Sequence, residues 1–164
     1  MNIALYLQRT ATVSPDAPAV YSGTQLQLSY GELLQRTTAL AGYLKHAFGV
    51  KPGDRVAIYA ANCVEYLEIL HAILWIGAVS VPVNYKLHNK ELDYVLADCE
   101  AQVLIVSQAL SACTESLANP PAHILIPGSP EYERALQHAR VPMYDCGPDE
   151  LASLFYTSGT TGRP

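Results

Sequence analysis

The sequence is short of the features that mark several common protein classes. Charge is scarce: only 15% of the residues are Asp, Glu, Lys or Arg, against 50% hydrophobic residues. Disordered chains show the opposite balance, so this composition favours a packed body, and 164 residues suffice to bury a core. Basic clusters are lacking. The ten Lys and Arg are scattered and the net charge is −5, which leaves no electrostatic footprint for nucleic acid or acidic lipid. Cys63, Cys99, Cys113 and Cys146 form no C-x-x-C pair, and the five histidines form no H-E-x-x-H motif. A zinc site is therefore not expected. A chain that can build a core has no need of a disulfide framework, so free thiols in a reducing, cytoplasmic setting are expected. Long apolar runs are also missing. The most apolar window, 67–83, contains Glu68 and His71 and is interrupted by Gly77 and Pro82, which suits no membrane span. Residues 1–9 lack the basic stretch and apolar run of a secretory signal.

What is present is a regular alternation of strand-like and helix-like segments. Residues 3–9 suit a short helix, and Ala19–Tyr21 with Leu26–Ser29 suit a hairpin around Ser22-Gly23-Thr24-Gln25. Ser29 and Glu32 have capping-box spacing, and Leu33, Thr37, Leu40, Leu44 and Phe48 follow at helical spacing up to Gly49. Arg55–Ala60 reads as a strand. Asn62, with Glu65 three residues on, is expected to cap a largely buried helix that Gly77 ends. Val79, Val81 and Val83 form the next strand, and a helix from His88 or Asn89 turns Leu92, Val95, Leu96 and Cys99 inward. The unbroken run Val103-Leu104-Ile105-Val106 predicts a strand covered on both faces. A weaker helix over 109–117 and a strand over His123–Ile126 follow. Residues 127–150, rich in Pro and Gly, predict a loop-rich segment with one short helix near 131–139. The fold class expected is α/β, with a mostly parallel sheet flanked by helices.

The chemistry is concentrated at the end. A strand is expected over 151–156, feeding the run Thr157-Ser158-Gly159-Thr160-Thr161-Gly162. Glycines let backbone N–H groups approach an anion, and hydroxyls donate to phosphate oxygens or ligate Mg²⁺. A loop at the carboxyl end of a strand in an open α/β sheet is where ligands bind. Composition alone also permits a flexible linker. The pattern is not G-x-x-x-x-G-K-S/T, since no Lys follows the second Gly. A flavodoxin-like loop holding the phosphate of FMN is a further alternative, although such loops follow the first strand and open a helix, which Pro164 disfavours.

Tyr156-Thr157-Ser158-Gly159-Thr160-Thr161-Gly162-Arg163-Pro164 resembles the phosphate-loop signature of the adenylate-forming (AMP-binding) superfamily. That family includes acyl-CoA synthetases, the adenylation domains of peptide synthetases, and firefly luciferase. Leu28–Leu33 resembles the family's early L-T/S-Y-x-E-L segment, and Gly49–Ile58 its G-V-x-x-G-D-x-V-A-I segment. Glu65–Asn84 resembles the helix and strand that come next. The resemblance spans essentially the whole chain and implies the N-terminal portion of the ligase large domain, with 1–164 a partial domain of a larger protein. It implies an ATP-dependent ligase, acyl-CoA synthetase-like, that forms an acyl-adenylate from a carboxylic acid and then a thioester with coenzyme A. A fatty or other organic acid is the expected substrate. Thr157, Ser158, Gly159, Thr160, Thr161 and Gly162 would contact the ATP phosphates, and Thr157 would place a hydroxyl near Mg²⁺.

The same resemblance implies that much of the machinery lies outside these residues, including the loop Lys, the adenine contacts and the C-terminal domain. The 164 residues alone are therefore expected to be inactive, and to self-associate through apolar surface that later elements would cover. A non-catalytic folding or interaction unit is the alternative. Other residues are given structural readings. Trp75 and His71 are expected in the core, Cys63 as a structural thiol, Asp54 and Arg55 as solvated, and Glu65 and Glu68 as first-turn helix charges. The eleven tyrosines are read as packing residues.

Overall fold

A computed structural model of the chain describes residues 1–157. Two layers of helix enclose a parallel sheet, as the alternating pattern requires. The chain opens with helix α1 (Leu5–Val13) and an antiparallel hairpin, β1 (Pro18–Ser22) and β2 (Gln25–Ser29). Helix α2 (Tyr30–His46) starts on the expected capping box: the Glu32 N–H donates to Ser29 Oγ at 3.3 Å, and the Ser29 N–H donates to Glu32 Oε2 at 2.8 Å. These bonds satisfy orphan donors of the first turn, and they hold the Glu32 carboxyl below its usual range.

Strand β3 (Arg55–Tyr59), helix α3 (Glu65–Trp75) and β4 (Val79–Val83) form one crossover unit; helix α4 (Asn89–Asp98) then leads to β5 (Val103–Val106). A 3₁₀ helix over Gln108–Ser116 precedes β6 (His123–Leu125), and a short helix α5 (Pro130–Ala135) lies in the loop-rich stretch. The sheet order is β4-β3-β5-β6, every pair parallel, with Val56 opposite both Ser80 and Val103. All four residues of β5 are buried, as its unbroken apolar run predicts.

The two faces carry separate cores. Val56, Ile58, Val103 and Ile105 point toward α2, α3 and α5, where Leu40, Leu44, Ile69, Ile73 and Tyr132 close the layer. Ala57, Leu104 and Val106 point to the other face, under Leu92, Val95 and Leu96 of α4. Strand alternation thus divides one sheet between two helical layers. Because β3 leads outward to β4 and β5 leads outward to β6, the connections diverge between β3 and β5. The carboxyl ends of these strands flank the crevice where open sheets bind ligands.

Three expectations need correction. Asn62 does not cap α3: the N-cap is Val64, with no side-chain cap bond, and its backbone is already helical (φ −60°, ψ −43°). An N-cap side chain works from an extended cap residue, and Asn62 lies two positions too early. The segment 109–117 is a 3₁₀ helix, not an α-helix. The stretch 151–156 is not a full strand. It joins the free edge of β4 only around Ser153, where the Ser80 N–H donates to Ala152 O (3.0 Å) and the Leu154 N–H donates to Ser80 O (2.9 Å). In β4 the even-numbered residues face this edge, and the next donor would be Pro82, which has no N–H. The ladder stops there.

Candidate functional site

The carboxyl edge of the sheet collects the ends of β3, β4 and β5 and the exit of the 151–157 segment. Thr157 is there and exposed, at the end of the segment that bridges to β4 only around Ser153. Ser158, Gly159, Thr160, Thr161 and Gly162 lie outside the described residues. The segment that delivers Thr157 is fixed by few contacts. The Ser80 and Ser153 hydroxyls meet at 2.6 Å, and Ser80 is fully buried. Leu154 and Tyr156 pack on the core beneath α4, while Leu151 and Phe155 stay 68% and 69% exposed. The Tyr156 hydroxyl donates to Asp98 Oδ2, at the end of α4, at 2.5 Å. Burial, then this bond to a carboxylate, push the Tyr156 phenol well above the usual tyrosine range.

The floor of the edge is tied together as well. The Tyr59 hydroxyl donates to Leu87 O at 2.8 Å, joining the end of β3 to the loop after β4. A cavity of about 400 Å³ opens nearby, between the hairpin (Val20, Tyr21, Ser22) and the β3–α3 loop (Asn62, Cys63, Val64). None of its lining residues belongs to 151–157, and its only thiol, on Cys63, is pushed up by burial and by Glu65, which leaves it a weak nucleophile. Among the described residues no three His, Cys, Asp or Glu side chains converge as a metal cage. Thr157 offers one hard oxygen, which suits Mg²⁺ only where phosphate oxygens and water complete its shell.

Several side chains play parts that their sequence context hid. Glu68, read as a first-turn charge, is fully buried. It is gripped by the Arg36 guanidinium, with Nη2 2.9 Å from Oε1 and Nε on Oε2, and it accepts the Tyr132 hydroxyl at 2.5 Å. The available signal was its place among apolar neighbours on a helix read as buried, since a carboxylate there must be paired. Arg55, read as solvated, donates Nε to Cys99 O (2.5 Å) and Nη2 to Glu100 O (3.3 Å), so it caps the C-terminus of α4. Its sequence neighbour Asp54 does close a turn, accepting from the Lys51 N–H at 2.8 Å. His71 is half-buried rather than core, with Nδ1 2.8 Å from Leu67 O. Trp75 is core, and its indole N–H donates to Val141 O at 2.8 Å. All four cysteines are free thiols.

Against known proteins, residues 7–164 match the family model described as AMP-binding enzyme. A feruloyl-CoA synthase of Amycolatopsis sp is 42% identical over 157 residues, covering 95% of this chain and 30% of that protein. The long-chain-fatty-acid–CoA ligase FadD13 of Mycobacterium tuberculosis is 32% identical over 170 residues, covering 99% of this chain and 34% of that protein. Among solved structures, the inhibitor-bound N-terminal domain of FACL13 from Mycobacterium tuberculosis superposes with a TM-score of 0.85 at 30% identity, covering 99% of this chain and 42% of that one. The chain thus spans about a third of the length of the curated relatives it matches. With an α/β sheet of this topology and a match over nearly every residue, the chain belongs to the AMP-binding enzyme family.

Proposed function

We propose that these residues form the N-terminal part of an ATP-dependent acid–thiol ligase, one that converts a carboxylic acid to an acyl-adenylate and then to a coenzyme A thioester. The observation that carries this reading is the family match through residue 164, together with the delivery of Thr157 to the carboxyl edge of the parallel sheet. In this reading Thr157, Ser158, Gly159, Thr160, Thr161 and Gly162 hold the β- and γ-phosphates, so that pyrophosphate departs as a stabilised anion. The Thr157 hydroxyl is one oxygen ligand for Mg²⁺, whose chemistry is to neutralise phosphate charge. Relatives named for aromatic and for long-chain fatty acids support an organic acid as substrate.

The 164 residues by themselves do not catalyse adenylation, because the span they share with relatives is about a third of those proteins. Alone, they also self-associate, since Leu151 and Phe155 leave apolar surface beside an unfinished sheet edge. The test is acid-dependent ATP–pyrophosphate exchange, with hydroxamate trapping of the acyl-adenylate. The complete polypeptide that carries these residues should exchange with at least one aromatic or aliphatic acid and then consume coenzyme A. A folded protein inactive with every acid would overturn the ligase reading, and robust exchange by the 164-residue chain would overturn its inactivity. Light scattering of that chain should show mass rising with concentration; a monomer at every concentration would refute self-association.

A further inference from the structure

Among the described residues, Tyr156 is the last with a tertiary hydrogen bond before Thr157. The backbone ladder that carries the segment ends at Leu154, because Pro82 withholds the N–H that would extend it. Two residues then separate the last ladder bond from Thr157. What holds them is the ring of Tyr156 on the α4 core and its hydroxyl on Asp98, at 2.5 Å. Asp98 itself stands against local preference. A carboxylate in the last turn of a helix opposes the helix dipole, and α4 has no basic residue in that turn. Arg55 relieves the helix end by binding the carbonyls of Cys99 and Glu100, while its charged contact goes to Glu100 and not to Asp98. A locally unfavourable residue whose described side-chain partner is the tyrosine next to Thr157 points to a tertiary role.

We propose that Asp98 and Tyr156 are positioning residues: helix α4 anchors the base of the phosphate loop through the Tyr156–Asp98 hydrogen bond, in place of the ladder that Pro82 cuts short. This rests on the ligase reading for its consequence, though not for the anchor itself. Neither side chain need touch substrate. The anchor fixes where Thr157 leaves the sheet, and so where the residues that follow it meet the phosphates.

The anchor is tested first in the 164-residue chain, by chymotrypsin cleavage after Phe155 and Tyr156 followed by mass spectrometry. D98A and Y156F should each be cut about tenfold faster than wild type, D98N, which keeps an acceptor oxygen, should recover most of the protection, and melting temperatures should hardly move. The consequence is tested in the complete ligase. D98A and Y156F should raise KM for MgATP about tenfold with KM for the acid unmoved, and the double variant should be no worse than either single one. Unchanged cleavage in folded variants overturns the anchor. Faster cleavage with an unchanged KM for MgATP overturns its role in loop positioning, as does D98N behaving like D98A. A wild-type ligase with no exchange activity defeats the ligase reading instead, and the cleavage measurement still decides the anchor.

Discussion

Replacing Glu68 by alanine removes the centre of a three-residue cluster that joins α2, α3 and α5. The carboxylate is fully buried, whereas the Arg36 side chain is 33% exposed and Tyr132 is buried completely. Removing one partner of a buried ion pair typically costs about 3–5 kcal/mol, because the other charge is stranded. Arg36 can turn toward water, which places its share at the low end. Tyr132 cannot, and a buried hydroxyl without its acceptor costs about 1–3 kcal/mol. The expected loss for Glu68→Ala is therefore about 4–6 kcal/mol, or roughly 8–24 °C in melting temperature for a domain of this size. Urea unfolding followed by circular dichroism measures it. Tyr132→Phe, which leaves the ion pair whole, should cost about 1 kcal/mol. Replacing all three side chains by apolar ones of similar size should restore most of the loss, since a buried pair contributes little net stability over well-packed hydrocarbon. A loss below about 1 kcal/mol for Glu68→Ala would refute the reasoning, because it would mean that the cluster is not desolvated as the buried-pair argument requires.

The same cluster predicts alkaline behaviour. Burial first, and the Glu68 carboxylate next, raise the Tyr132 phenol far above its ordinary value. A raised folded value means that stability is fully present below the unfolded tyrosine value of about 10 and is lost as pH climbs beyond it; Tyr132→Phe should reduce the fall in urea midpoint between pH 8 and 11. Gly42→Ala should destabilise by about 1–3 kcal/mol, although alanine ordinarily favours a helix. A Cβ there would lie 2.0 Å from Ala139 O, so the loop after α5 would have to lift off α2, and a higher urea midpoint for the variant would contradict that packing. Cys63 is exposed, yet its thiol is pushed up; its alkylation by iodoacetamide at pH 7.5 should be slower than that of free cysteine, and a faster rate would contradict the environment described.

Local signals carried much of the architecture. The Ser29–Glu32 capping box, the β5 apolar run and the positive-φ stop at Gly77 (φ 75°) were legible because each depends on neighbours within a few residues. The α3 start was not, since Asn62 has the right chemistry at the wrong distance, and the decision there lay with a backbone already turning at Val64. The Thr157–Gly162 run was legible as a motif, while the contacts of the segment leading into it were not. Pro82 and Tyr156 are 74 positions apart, and only the sheet shows that the missing N–H of one faces the strand that leads to the other.

By itself, then, the order of residues determined the element types, the parallel α/β class, and the chemistry that the Thr/Ser/Gly run suits, for these follow from periodicity and residue type over short spans. Tertiary structure alone decided which charges are buried and paired, where the edge ladder ends, and that α4 meets Tyr156 through Asp98. Those facts depend on residues brought together from distant parts of the chain, where the cost of desolvating a charge or orphaning a donor is set by packing that no short segment contains.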